Sequence, residues 1–84
     1  MYYVYLLKSK KDESLYIGYT NDLKRRFEEH NNGENKSTKF KTPFELVYYE
    51  SYRARSDAKI REQALKKHAQ AYTTLKQRIA NSLT

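Results

Sequence analysis

The chain has 84 residues, of which 38% are hydrophobic, so we expect one domain, 1–84, with a thin core to which the nine Tyr must contribute. The absence of Cys excludes disulfides and thiolate metal sites, and no apolar run approaches the roughly 20 residues of a membrane helix, so we expect a soluble, cytoplasmic protein. Seventeen Lys and Arg against ten Asp and Glu give a net charge of +7, which favours a polyanionic partner, nucleic acid before an anionic membrane.

The first half of the chain predicts a hairpin, a helix and a third strand. Residues 2–8 and 15–19 are rich in β-branched and aromatic residues, and a short polar loop joins them. The helix that follows has Asn21 or Asp22 as its N-cap and Asn32 or Gly33 in a left-handed C-cap position. Residues 33–43 form a polar, basic loop. Residues 44–52 read as a third strand, whose place in the sheet the sequence leaves open.

Two more helices complete the chain. Residues 53–70 predict a helix with Ser56 as its N-cap. Residues 71–83 predict another, with one apolar face formed by Tyr72, Leu75, Ile79 and Leu83. The order ββαβαα indicates an α+β domain, in which helices flank a small three-stranded antiparallel sheet.

Three polar side chains fall on or beside the apolar faces of these helices. Leu23 and Phe27 form the stripe of the first helix, and Arg26 and His30 each follow one of them by three residues. Glu62 fills a gap in the stripe of the second helix. That stripe consists of Ala54, Ala58, Leu65 and Ala69. A carboxylate on a buried face destabilises the fold unless a partner neutralises it.

Each of the three has an ordinary structural explanation and a chemical one. Arg26 can lie along the surface, His30 can be a hydrogen-bonded core residue, and Glu62 can pair with Lys66 one turn away. Turned toward one sheet rich in Tyr, they would instead form a polar site. A lone Glu suits Mg²⁺, an Arg stabilises a charged phosphate, and a Tyr or His can orient or deprotonate water. This combination favours metal-assisted phosphodiester hydrolysis.

The hairpin resembles the signature of the GIY-YIG nuclease superfamily. Tyr3-Val4-Tyr5 stands for the family's first tripeptide, Tyr16-Ile17-Gly18 matches the second in full, and ten residues separate the two. "NDLKRRF" then has Arg26 at the family's catalytic arginine, and "REQALKKH" has Glu62 at its metal-binding glutamate. The match covers nearly the whole chain and is most similar to the small stand-alone bacterial members. Tyr3 and Tyr19 depart from the pattern, which has Gly and often Lys there.

The resemblance implies a role for each residue of the site. Tyr5 and Tyr16 would line it, and one of them would act as general base or hold the attacking water. Arg26 would clamp the scissile phosphate, and His30 would assist proton transfer. Glu62 would hold a single divalent metal ion, Mg²⁺ or Mn²⁺.

We expect further residues to contact nucleic acid, with Gly18 letting the backbone pass close to the substrate. They are Gly18, Tyr19, Lys24, Arg25, Lys39, Lys41 and Lys66. The expected function is a metal-dependent endonuclease that cuts DNA with little sequence specificity, because no appended DNA-binding domain is expected. The enzyme could in addition select single-stranded or branched DNA, and the sequence does not exclude RNA as a substrate. The alternatives are a catalytically weak nucleic-acid-binding module on the same fold and an accessory protein that binds a nuclease through its third helix.

Overall fold

The computed structural model describes all residues, 1–84, as three strands and three α-helices. The strands are β1 (Tyr2–Ser9), β2 (Leu15–Thr20) and β3 (Phe44–Tyr52). The helices are α1 (Leu23–Asn31), α2 (Arg55–Lys67) and α3 (Ala69–Arg78), and 3₁₀ turns occur at Lys39–Lys41 and Ala80–Leu83. The predicted α+β class and the order ββαβαα are confirmed. No helix has both the length and the apolar character needed to cross a lipid bilayer.

The sheet has the strand order β2-β1-β3, and both pairings are antiparallel. This places β3, whose position the sequence left open, beside β1 and makes β2 an edge strand. Val4, Tyr5, Leu6 and Leu7 are all buried, which is what a central strand covered on both faces requires. The pairing of β1 with β3 changes register between Leu6 and Leu7, so β3 carries a local irregularity there.

Each face of the sheet supports its own small core, because side chains alternate along a strand. On one face, Val4 packs with residues of α2 and α3, namely Ala58, Leu65 and Leu75. On the other face, Tyr5, Leu7 and Phe44 pack against the apolar stripe of α1, formed by Leu23 and Phe27. The sheet therefore separates α1 from α2 and α3, and the two helical layers can meet only at an edge of the sheet.

The helix ends follow the predictions in α1 and depart from them in α2. The Asp22 carboxylate accepts a hydrogen bond from the Arg25 amide at 3.2 Å, and Gly33 has a left-handed φ of 73° after the helix. The prediction that Ser56 caps α2 is wrong, because the extended residue before the helix is Ala54, which has no capping side chain. Ala54 and Ala69 are exposed, so the buried stripe of α2 is shorter than predicted.

The predicted third helix is also divided differently. It begins at Ala69 rather than residue 71, and its α-helical part ends at Arg78. Leu83, predicted to continue its apolar face, lies instead in the closing 3₁₀ turn. Leu75 is buried and Ile79 packs beside it, so the predicted stripe serves the core of the domain. This intramolecular packing leaves little of the face for a partner nuclease.

Candidate active site

The site is built around the side chain of Tyr5, which is buried in the central strand. Tyr5 pairs with Gly18 of β2, and its ring lies directly over that glycine. A Cβ atom at residue 18 would overlap the ring and the hydroxyl of Tyr5. Gly18 is therefore needed for the Tyr5 side chain to cross β2 toward the open edge of the sheet. The close approach of substrate that we predicted for Gly18 stays a prediction.

His30, at the end of α1, connects Tyr5 to the loop that follows the helix. Its Nε2 atom is 2.9 Å from the Tyr5 hydroxyl, and its Nδ1 atom is 2.9 Å from the Thr38 hydroxyl. The rings of Tyr16 and Phe44 meet the imidazole edge to face, with centroids 5.0 and 6.0 Å away. His30 is thus both the hydrogen-bonded core residue of the ordinary explanation and a direct neighbour of the two predicted tyrosines.

Burial and the adjacent charge of Arg26 lower the pKa of His30 to about 4. The imidazole is therefore neutral at pH 7, with one ring nitrogen donating and the other accepting. Burial also raises the pKa of Tyr5 to about 12, against the opposing effect of Arg26 and with contributions from Tyr16 and Glu62. The resting site thus holds a protonated phenol hydrogen-bonded to a neutral imidazole, one nitrogen of which can accept a proton.

Arg26 has most of its hydrogen-bonding capacity free. Its Nη1 atom donates to Glu29 at 3.1 Å, and its guanidinium is also close enough to the Tyr5 hydroxyl to affect the pKa of both groups. A guanidinium carries five N–H donors in a planar fork that matches phosphate. About a third of the side chain is exposed, so an anion can reach the remaining donors from solvent.

Glu62 lies in the buried stripe of α2, with only 8% of its side chain exposed. Its two oxygens contact Lys66 at 3.1 Å and Lys59 at 3.4 Å. The predicted pairing with Lys66 is confirmed, and Lys59 is a second partner. Both ammonium groups belong to side chains that are nearly half exposed, so they can move away without unfolding the helix.

The donors present fit a hard cation only if the substrate completes its coordination. No group of three or more His, Cys, Asp or Glu side chains is placed to hold a metal ion by itself. Glu62 offers two carboxylate oxygens, and Mg²⁺ is commonly held by one or two carboxylates together with waters and phosphate oxygens. Glu62 is therefore a suitable anchor for a metal ion that arrives with the substrate.

The predicted catalytic residues come together at the β2 edge, although they approach from opposite faces of the sheet. Tyr5, Tyr16 and His30 are in mutual ring contact, with the Tyr5 and Tyr16 centroids 6.5 Å apart. Arg26 of α1 and Glu62 of α2 both lie close enough to affect the pKa of Tyr5. The edge strand is thus where the two helical layers contribute to one site.

The residues predicted to contact nucleic acid are more scattered. Tyr19 and Arg25 line a groove with Arg26. Lys24 lies on the other side of α1, beside an apolar cavity. Lys39 and Lys41, the two predicted contacts in the loop after α1, have other partners. Lys41 is 3.7 Å from Asp12, and Lys39 lies over the Phe40 ring. Lys66 contacts Glu62, as described above.

Two residues of the site were missed by sequence reasoning. Lys59 places its ammonium 4.5 Å from the centroid of the Tyr19 ring and also contacts Glu62. Its position three residues before Glu62 was a signal that could have found it. Thr38 is buried against His30, but it lies in a polar loop where no periodicity distinguishes it from its neighbours.

The comparisons with known proteins agree with this fold and give the family. The model of the GIY-YIG catalytic domain matches residues 1–79. UPF0213 proteins from Haloquadratum walsbyi and Clostridium perfringens are 47% and 48% identical to the chain over 68 residues; each alignment covers 80% of this chain, and 75% and 72% of the respective relative. The solution NMR structure of a UPF0213 protein from Bacillus halodurans matches with a TM-score of 0.54 and 33% identity, over 89% of this chain and 83% of that one. The chain therefore belongs to the GIY-YIG family, which consists generally of endonucleases.

Proposed function

We propose that the protein is a divalent-metal-dependent endonuclease that hydrolyses DNA phosphodiester bonds. The observation that carries this proposal is the hydrogen bond between Tyr5 and His30 at an edge where Arg26 and Glu62 converge. These groups supply a proton acceptor, a phosphate clamp and a carboxylate for a hard cation. An ordinary core arrangement needs none of the three in one place.

The chain's own residues would divide the reaction between them. Arg26 would bind the scissile phosphate, and a water beside the Tyr5 oxygen would attack it in line with the leaving oxygen. As the P–O bond to water forms, the water gives a proton to Tyr5 while Tyr5 gives its own proton to His30. The bond to the leaving oxygen breaks, this oxygen takes a proton from solvent water, and the products are a phosphomonoester and an alcohol. An Mg²⁺ or Mn²⁺ ion at Glu62 would supply Lewis-acid stabilisation of the phosphate and the leaving oxygen.

Substrate binding would itself make His30 a better base. The charge of Arg26 helps to keep the pKa of His30 low in the free protein. A phosphate bound to Arg26 offsets that charge, so the imidazole becomes easier to protonate when substrate is present. The side chain of Tyr16 makes no hydrogen bond within the protein, so its hydroxyl is available to orient the water or the substrate.

We also propose little sequence specificity and a preference for unpaired or branched DNA, a selectivity suited to DNA repair or recombination. The groups around the site are charges and aromatic faces, which contact phosphates and any base. A cavity of about 530 Å³ between α1 and the sheet is lined by Tyr3, Phe27, Leu46 and Tyr49, and Tyr49 is half exposed. Such a surface suits stacking of a base that has left the duplex.

The test is a cleavage assay with single-stranded, duplex and branched DNA and single-stranded RNA, each with Mg²⁺, Mn²⁺ or EDTA. Glu62→Gln is compared with Glu45→Gln, an exposed glutamate of β3. We expect metal-dependent cutting of DNA that falls about 100-fold or more in Glu62→Gln and is unchanged in Glu45→Gln. Full activity of Glu62→Gln, or cutting in EDTA, would overturn the mechanism.

The second candidate function is a nucleic-acid-binding module with little catalysis. The contacts of Lys59 and Lys66 with Glu62 favour it, since two ammonium groups already neutralise the carboxylate. Salt-sensitive binding with no cutting of any substrate would establish this alternative.

A further inference from the structure

A polar groove adjoins the site, and apart from Arg26 the residues that line it have no part in the proposed reaction. It encloses about 530 Å³ between the end of β2, α1 and the first turn of α2. The charged residues that line it are Arg25, Arg26, Glu29 and Arg55, and its aromatic wall is formed by Tyr2 and Tyr19. The groove shares Arg26 with the candidate active site, so a ligand in one is next to a ligand in the other.

The groove has more positive charge than its own residues neutralise. Arg26 is 3.1 Å from Glu29, and Arg25 is 3.8 Å from the same carboxylate. Arg25 is also 4.0 Å from Asp22, whereas Arg55 has no carboxylate within 4.0 Å. Three guanidinium groups thus face one space with a single carboxylate between them. Mutual repulsion makes such a space favourable for an anion.

The groove is continuous with Glu62 along α2. Arg55, Lys59 and Glu62 are spaced by four and three residues, so they lie on one side of the helix. Lys59 bridges the two regions, because it lies over the ring of Tyr19 and contacts Glu62. Seven residues of helix correspond to roughly 10 Å, about the rise of three nucleotides in a B-form strand. A strand bound at Glu62 can therefore also reach Arg55.

The aromatic wall shapes the groove. Tyr2 and Tyr19 stack with their rings 8° from parallel and their centroids 6.5 Å apart. Lys59 covers the ring of Tyr19 from the side of Glu62. The stacked rings give the space a rigid side, which limits where a charged group can sit beside the arginines.

We propose that Arg25 and Arg55 bind a phosphate that flanks the scissile phosphate on the same strand. Arg55 is a new member of the binding surface, and it fixes the direction in which the strand leaves the active site. The identity of the scissile position rests on the proposed nuclease function, but the binding of a polynucleotide phosphate in the groove does not require cleavage.

The first experiment measures binding without cleavage. Fluorescence anisotropy of labelled single-stranded DNA is followed in EDTA over a series of salt concentrations for wild type, Arg55→Ala and Arg53→Ala. Arg53 is the matched control, because it is an exposed arginine two residues away that does not line the groove. We expect Arg55→Ala to bind about 10-fold more weakly and to lower the slope of log K against log salt by about 0.7, the value for one phosphate contact on a single strand. Arg53→Ala should match wild type.

The second experiment locates the phosphate. Branched oligonucleotides, in which the junction fixes the register on the protein, carry one neutral methylphosphonate at successive positions. Wild type should bind more weakly when that linkage lies within about three nucleotides of the cut. The same methylphosphonate should not weaken the binding of the Arg55→Ala variant any further. Circular dichroism checks that the variant is folded, and Arg55→Lys, which restores the charge without the fork, should recover part of the affinity.

The outcomes separate the two proposals. Equal salt slopes for wild type and Arg55→Ala would overturn the phosphate subsite, whether or not the protein cuts DNA. Arg55-dependent binding without cleavage would overturn the nuclease proposal and leave the subsite in place. A methylphosphonate that weakens wild type and Arg55→Ala equally at every position would overturn the assignment of Arg55 to that phosphate.

Discussion

Two glutamates face the layer between the sheet and α2, and the protein holds them in opposite ways. The guanidinium of Arg61 donates two hydrogen bonds to Glu50 of β3, from Nε to Oε1 at 2.9 Å and from Nη2 to Oε2 at 3.0 Å. The hydroxyls of Tyr48 and Tyr52 also donate to it, one to each oxygen. Glu62 has only the ammonium groups of two half-exposed lysines.

This difference indicates which of the two carboxylates can bind a metal ion. Burial acts to raise the pKa of Glu50, but the hydrogen bonds from Arg61, Tyr48 and Tyr52 outweigh it and lower that pKa. Both oxygens of Glu50 accept hydrogen bonds from Arg61 and from a tyrosine hydroxyl, so this residue links β3 to α2 and has no free site for a cation. The lysines on Glu62 are flexible point charges, which a cation and a phosphate can displace together.

The largest effect on stability should come from removing the cationic partner of Glu50. Arg61→Ala leaves Glu50 buried without its cation, and we expect a loss of about 3 kcal/mol in the free energy of unfolding. Arg61→Lys, which keeps the charge and loses the fork, should lose less. Urea denaturation measures both. A stability equal to wild type in Arg61→Ala would mean that the network contributes nothing.

The complementary change at Glu62 should affect activity and spare stability. Glu62→Gln removes the cation ligand, so cleavage should fall about 100-fold, while the free energy of unfolding changes by about 1 kcal/mol or less. The same urea titration, run beside the cleavage assay, checks this. If Glu62→Gln unfolds as readily as Arg61→Ala, both glutamates are structural and the comparison fails.

Acid should destabilise the fold in two separate ranges. His30 has a pKa lowered to about 4, so the unfolded chain takes up its proton first and stability falls as the pH drops from about 6.5 toward 4. Glu50 has a lowered pKa, so its contribution is complete above the unfolded value near 4.5 and is lost as the pH falls below it.

Urea titrations between pH 8 and 3 measure the two ranges, and His68→Asn, at an exposed position, leaves His30 as the only imidazole. Constant stability between pH 6.5 and 4.5 in that background would contradict the assignment to His30.

The smallest effect concerns the lysines that cover Glu62. Lys66→Met removes a positive charge 3.1 Å from the carboxylate, and we expect Mn²⁺ to bind about fivefold more tightly, since such a pair is worth about 1 kcal/mol in water. Lys67→Met is the control, because Lys67 is an exposed neighbour without a contact to Glu62. The Mn²⁺ concentration that gives half-maximal cleavage of single-stranded DNA measures the difference, because the substrate is needed to complete the coordination of the ion. Weaker binding in Lys66→Met than in the control would show that this lysine supports the metal site.

The sequence predicts the elements better than the contacts between them. The hairpin, β3 and α1 follow from local patterns and caps, but the antiparallel place of β3 beside β1 depends on packing that no local pattern records. Glu62 could be found because it interrupts a helical stripe. The role of Glu50 could not, since its partner Arg61 lies on another element, 11 residues away, and no local spacing indicates that pair. Ser56 failed as a cap because the chain is already helical at that residue.

The hydrogen bond between His30 Nδ1 and the Thr38 hydroxyl fixes one point of the loop after α1 and leaves the exposed part of that loop open to redesign. Thr38 is buried, while Lys36 and Ser37 just before it are exposed. Exchanging the exposed Glu34 and Lys36 would alter the surface that a substrate meets, while Asn35, which accepts from the Thr38 amide at 3.1 Å, keeps the turn and the imidazole keeps its second partner. Shifting Thr38 by one position would instead remove that partner and let the ring turn. The side chains at the loop tip can therefore be changed in this protein without releasing His30, provided that a hydroxyl remains at residue 38.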